Sequence, residues 1–222
     1  MFADPDAVAR YLDGPPRFTP GFQDMQRMAG VLLSERVPDD GKVLVVGAGG
    51  GLEIRVFAQA NPSWHFWGVD PSAAMIALAA QTLGEYEERV TLITGLIDDA
   101  PDLQFDGATC LLTLHFLEET QRLATLLEIN RRLKPGAPFV VAHMSISANP
   151  PERALWLARY AGFALASGVD PAIVDMAHEK VATQLKILPP EKDIELLGMA
   201  GFTNVAPFYH GFTWRGWVGY AS

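Results

Sequence analysis

The stretch Lys42 to Ile54, KVLVVGAGGGLEI, decides the fold. Aliphatic and β-branched residues run unbroken to Val46, glycines follow, and a helical pattern then begins. That order describes a buried strand delivering its backbone into a tight turn at a helix N-terminus. The glycines at 47, 49 and 51 lack a Cβ, so a flat or anionic ligand can approach the main chain closely. A nucleotide-like ligand is expected on this turn.

Outward from the turn, strands and helices alternate. Glu53 to Asn61 reads as a helix stopped at Asn61-Pro62, and Trp64 to Val69 as a second strand ending at Asp70. Pro71-Ser72 opens a helix that closes at Gly84, followed by strands at Arg89–Thr94, about Ala108–Thr113 and Pro138–Met144. A helix over about Glu118–Leu133 ends at Lys-Pro-Gly, where proline and glycine terminate it. Near-continuous apolar strands at this spacing imply βαβ units, a mostly parallel sheet and helices on both faces.

Both ends of the chain depart from that alternation. Residues 4–13 and Gln23–Arg36 read as helices separated by the break at Gly14-Pro15-Pro16. They form an N-terminal cover over 1–40, which either closes over a ligand or simply packs. Pro150–Gly168 and Pro171–Ile187 read as helices of an insertion spanning 146–188, and Pro190–Ala200 as one more. Two aromatic-rich stretches, 202–209 and 212–220, then flank His210-Gly211 as a hairpin. The expectation is one domain over 1–222.

Composition narrows the function classes. The chain has 222 residues, 49% of them hydrophobic and 19% charged, a globular balance. No apolar run reaches the roughly 20 residues that span a bilayer, and the acidic N-terminus lacks a signal-peptide pattern. A cytoplasmic protein without a membrane partner is expected. A net charge of −9 disfavours nucleic acid and leaves a small-molecule substrate, with room for a homodimer. The single cysteine, Cys110, lies in an apolar run and reads as a buried thiol; no metal site is expected.

The turn alone could hold NAD, FAD or S-adenosylmethionine. A dinucleotide fingerprint requires glycine at 52, where Leu52 stands. The G-x-G-x-G pattern favours a donor with no pyrophosphate to seat. Asp70, 23 residues beyond Gly47, can accept hydrogen bonds from both ribose hydroxyls; it could equally cap the helix that follows.

VLVVGAGGG, VDPSAAM, FDGATCLLTLHFL and RRLKPG, in this order and spacing, resemble class I S-adenosylmethionine-dependent methyltransferases. The resemblance implies a Rossmann-like α/β fold whose seven-stranded mixed sheet has its last strand antiparallel. It also implies that Gly47, Ala48 and Gly49 line the methionine portion of S-adenosyl-L-methionine and Asp70 its ribose. Pro71 and Met75 would meet the adenine on one side and Leu96, Ile97 and Asp98 on the other, with Leu111 to Thr113 near the sulfonium.

A closer resemblance, carried by TPGF at 19–22, TLHFLEE, AHEK and FTWRGWV, is to carboxy-S-adenosylmethionine synthases. Those enzymes modify the cofactor itself for tRNA wobble-uridine modification. It places Phe22 at the cofactor, where that family has tyrosine. The family also has asparagine near Leu111, an acid near Leu96 and arginine near Lys180. Methyl transfer to a small molecule is therefore the leading reading. Cofactor carboxylation and non-catalytic cofactor binding are the alternatives.

Methyl transfer is an in-line displacement that chiefly requires donor and acceptor about 3–3.5 Å apart. A general base is needed only where the acceptor must lose a proton. His115, after the fourth strand, and His143, at the end of the fifth, are the candidates, each alternatively a packed residue. Glu53 suits the helix dipole, Tyr11 is an outside candidate for acceptor contact, and Trp156, Tyr160 and Phe163 share one helix face.

Overall fold

The computed structural model describes residues 13–222; the helix expected over 4–13 and Tyr11 lie outside the described residues. The strands are β1 (Lys42–Val46), β2 (His65–Asp70), β3 (Val90–Thr94), β4 (Gly107–Leu111), β5 (Pro138–Met144), β6 (Phe202–Gly211) and β7 (Trp214–Ala221). They form one sheet in the order β3-β2-β1-β4-β5-β7-β6. The first five are parallel, and β7 runs antiparallel between β5 and β6. This is the seven-stranded mixed sheet that the resemblance implied.

The helices are α1 (Gly14–Phe18), α2 (Phe22–Ser34), α3 (Leu52–Ala60), α4 (Ala73–Leu83), α5 (Glu119–Arg131), α6 (Pro150–Ala166), α7 (Pro171–Gln184) and α8 (Pro190–Met199). Side-chain alternation along each strand assigns them to faces. Leu44, Val46, Ala108, Cys110, Phe139 and Val141 face one way, packed with Leu126 and Ile129 of α5 and Leu196 of α8. Val43, Val45, Phe66, Val140 and Ala142 face the other, against α2, α3 and α4 through Met25, Leu33, Phe57 and Leu83. Burial on both faces explains why the central strands read as unbroken apolar runs.

Several expectations are corrected in detail. Gly14-Pro15-Pro16 is the start of α1, since proline costs nothing in a first helical turn whose N–H groups have no intrahelical acceptor. The fourth strand ends at Leu111, because Leu112 turns to φ 56°. The hairpin turns at Phe212-Thr213, with His210 and Gly211 still paired to Arg215 and Trp214. Phe212 itself takes the positive φ of 57° that the turn demands. Helix α7 stops at Gln184, and residues 185–188 run extended to the next helix.

The insertion and the cover meet. Phe18 of α1 packs at a tilt against Tyr160 of α6, 5.6 Å between ring centroids, and Trp214 Nε1 donates to the Phe18 carbonyl at 3.0 Å. Among the described residues, no helix is long and apolar enough to cross a membrane.

Candidate functional site

Register brings the glycine turn and Asp70 together. Val46 at the end of β1 pairs with Val69 at the end of β2, so Gly47 and Asp70 leave the sheet side by side. The turn's amides point inward: Gly47 and Ala48 donate to the Val69 carbonyl at 2.8 and 3.0 Å, and Gly49 to Asp70 Oδ2 at 2.9 Å. Asp70 Oδ1 accepts from Ser72 N at 2.9 Å, so the carboxylate bridges the turn and the start of α4. With these three amides committed to β2, they cannot form a phosphate cradle. That arrangement suits a donor without pyrophosphate, which Leu52 already indicated. Each Asp70 oxygen retains acceptor capacity for a hydroxyl. Burial pushes the Asp70 carboxyl above its ordinary value, opposed by the Ser72 and Gly49 bonds.

The end of β4 closes on the same turn. Leu112, with its left-handed φ, sets Thr113 directly over Gly47. A bulky residue in that conformation is held there by its surroundings at a cost of order 1–3 kcal/mol, and such outliers gather at functional sites. Leu112 N donates to the Ala142 carbonyl at 2.6 Å, and Thr113 Oγ1 to that of Leu111 at 3.0 Å. Gly47 is itself at φ 76°, and a Cβ there would overlap the Thr113 side chain. Gly47→Ala is therefore expected to destabilise the chain by about 1–3 kcal/mol in urea unfolding. Adding Thr113→Ala should recover only the steric share of that loss; unchanged stability of the single variant would contradict the packing described.

The other positions carried over from the resemblance divide by side-chain direction. Pro71 and Asp98 are exposed, and Leu96 is 57% exposed at the end of β3. Ile97 and Met75 turn inward, Ile97 into the core beside Val46 and Val69, which leaves main chain rather than side chain at those two points. Phe22 and Leu111 are buried in the α2–α4 core. Ser72 caps α4 by accepting from Met75 N at 3.3 Å.

Glu53 belongs beneath this turn. Its carboxyl is buried in the first turn of α3 and accepts from Thr109 Oγ1 at 2.8 Å. Burial, with Asp70 nearby, raises its pKa to about 8 against the opposing bond from Thr109. It is thus protonated at neutral pH, an uncharged brace between α3 and β4. The signal in the sequence was Thr109, the one polar residue inside an otherwise apolar strand.

The two histidines are buried. His115 Nδ1 accepts from Met144 N at 3.4 Å, and its ring packs between Phe116 and Trp214. Burial, and then the nearby His143 and Arg122, hold its pKa well below the ordinary value. His143 lies on the α5–α8 face, where its position in β5 puts it in step with Phe139 and Val141. Its Nε2 is 3.1 Å from Asp193 Oδ1 and its ring is beside Trp217. Asp193 also pairs with the fully buried Arg122, whose Nη2 donates to the Lys186 carbonyl at 2.7 Å. Burial pushes the Asp193 carboxyl up, but His143 and Arg122 outweigh it and hold it below the usual range. This network was not anticipated. Among the described residues, no group of three or more His, Cys, Asp or Glu side chains could hold a metal ion.

Residues 44–139 match the methyltransferase domain family. A carboxy-S-adenosyl-L-methionine synthase of Chromohalobacter salexigens is 27% identical over 99% of this chain and 80% of its own length. An O-methyltransferase family protein of Burkholderia thailandensis has a similar structure, with TM-score 0.75, 16% identity and coverage of 99% of this chain. PigF with SAH is similar at TM-score 0.70 and 18% identity over 97% of this chain. The chain spans 61% and 59% of the lengths of those two structures.

Proposed function

We infer that this chain, a member of the S-adenosylmethionine-dependent methyltransferases, transfers a methyl group from that cofactor to a small-molecule acceptor. The observation that carries the reading is the Gly49–Asp70–Ser72 arrangement, a carboxylate fixed by two backbone amides with acceptor capacity left over. When bound, S-adenosylmethionine supplies a methyl group activated by a sulfonium.

The chain's own residues bind, orient and exclude water. Asp70 takes the ribose hydroxyls, and the main chain of the turn from Gly47 to Gly49 lies along the methionine portion, with Thr113 packed into the space a Cβ at Gly47 would fill. Leu96 and Asp98 flank the adenine, with main chain at Ile97 and the start of α4 completing that wall. The buried Phe22 and Leu111 back the cleft with apolar surface. His115 and His143 serve as positioning residues: the Met144 amide on Nδ1 leaves the proton of a neutral His115 on Nε2, and His143 is held by Asp193. Methyl transfer by alignment alone suits an acceptor that attacks with a free lone pair.

Titration calorimetry with S-adenosylhomocysteine tests the reading. Saturable binding is expected, and Asp70→Ala should weaken it roughly 10- to 100-fold, the value of hydrogen bonds to a charged group. Absence of binding to the unaltered chain, or an Asp70→Ala variant that binds as well, rejects it. A second reading, modification of the cofactor itself, is favoured by the name of the Chromohalobacter relative. Mass spectrometry of cofactor co-purified with the chain separates the two, since only the second predicts a carboxylated form.

A further inference from the structure

Where α6 faces the β6–β7 hairpin there is a cavity of about 510 Å³ lined by Pro20, Trp156, Arg159, His210, Gly211 and Phe212. That volume suits a small organic ligand. The walls are aromatic: the Trp156 and His210 rings lie 5.7 Å apart, and Phe212 is 41% exposed, edge-on to Phe163. The floor is built rather than accidental, because Tyr209 donates its hydroxyl to the Pro20 carbonyl and Gly211 leaves room for that contact.

Arg159 gives the recess its charge. Its guanidinium carbon lies over the Trp156 ring, 4.4 Å from the centroid, and among the described residues it has no carboxylate partner. Stacking holds the planar fork in place, and its N–H groups make no hydrogen bond among the described residues, which lowers the entropy lost when a planar anion is gripped. In a chain of net charge −9, this recess holds a cation that has no carboxylate partner among the described residues. Burial, and then Arg215 nearby, hold the His210 pKa below its ordinary value against a bond to the Phe212 backbone, so the imidazole is neutral and keeps an acceptor nitrogen.

We propose that this recess binds an aromatic carboxylate, its ring against Trp156 and Phe212 and its carboxylate in the fork of Arg159. The site goes beyond the cofactor cleft and does not depend on it, although Pro20 lies only two residues before Phe22.

The test is titration calorimetry of the full chain with 4-hydroxybenzoate and its neutral counterpart 4-hydroxybenzamide, with S-adenosylhomocysteine titrated in parallel. The carboxylate should bind about tenfold tighter than the amide. Arg159→Gln should erase that difference, and Arg159→Lys should restore only part of it. Cofactor affinity should be the same in all three chains, which separates this result from any failure of the methyltransferase reading. Equal binding of acid and amide, no saturable binding of either, or a preference that survives Arg159→Gln overturns the proposal.

Discussion

Asp193→Ala is expected to destabilise the chain by about 3–5 kcal/mol, measured as the loss in urea unfolding free energy. Arg122 is fully buried and Asp193 is 2% exposed, so truncation leaves a guanidinium in the interior with no counter-charge. The penalty is that of an uncompensated charge, not of one lost hydrogen bond. Domains of this kind are stable by only about 5–15 kcal/mol, so the change removes a large share of the total. The effect should reach the cleft, because Arg122 also ties down Lys186, whose amide donates to the His115 carbonyl at 2.9 Å just after β4. Replacing both partners together, as Arg122→Met with Asp193→Leu, should recover most of the loss. A single-variant loss below about 1 kcal/mol would show that the pair bears little of the burden.

Glu53→Gln should change how stability depends on pH. In the folded chain the Glu53 carboxyl titrates near 8, against an ordinary value of 4.5. Between those values the unfolded chain has released its proton and the folded chain has kept it. The unfolded state thus binds fewer protons, and stability falls as pH rises, levelling off above about pH 8. Over that window the group accounts for a loss of about 5 kcal/mol, since each pKa unit is worth about 1.4 kcal/mol. Glutamine keeps an oxygen to accept from Thr109 but cannot ionise. Urea midpoints at pH 5 and pH 8 should therefore differ less in Glu53→Gln than in the unaltered chain. Parallel pH profiles would mean that Glu53 is already ionised at pH 5, in which case the brace between α3 and β4 is a charged one.

The features legible in the sequence are those that local physics controls. An apolar run entering glycines can only be a buried strand and a turn, and the positive φ of Gly47, Gly49 and Gly51 follows from the missing Cβ. The acid at the end of the second strand was legible for a similar reason, since parallel pairing from Lys42–His65 to Val46–Val69 brings Asp70 level with the turn. Leu52 disfavours a dinucleotide, and the inward amides at 47–49 supply the physical counterpart.

Only the tertiary structure decided which side chains meet across long separations. Glu53 finds Thr109 across 56 residues, and Arg122 finds Asp193 across 71, choices made by packing of helices on the sheet rather than by periodicity. His143 could be placed at a strand end from the sequence, but whether it faced the cleft or α8 depended on the register of β5 within the completed sheet. The hairpin turn moved to Phe212-Thr213 because pairing with β7 held His210 and Gly211 in the strand, overriding the local preference of glycine for turns. The sequence by itself thus determined the glycine turn, in the run from Lys42 to Ile54, and the acid at Asp70 that lies beside it. Folding alone determined the buried charges that brace it and the aromatic recess beside it, because a charge's partner and a pocket's walls come from segments that only the closed sheet brings together.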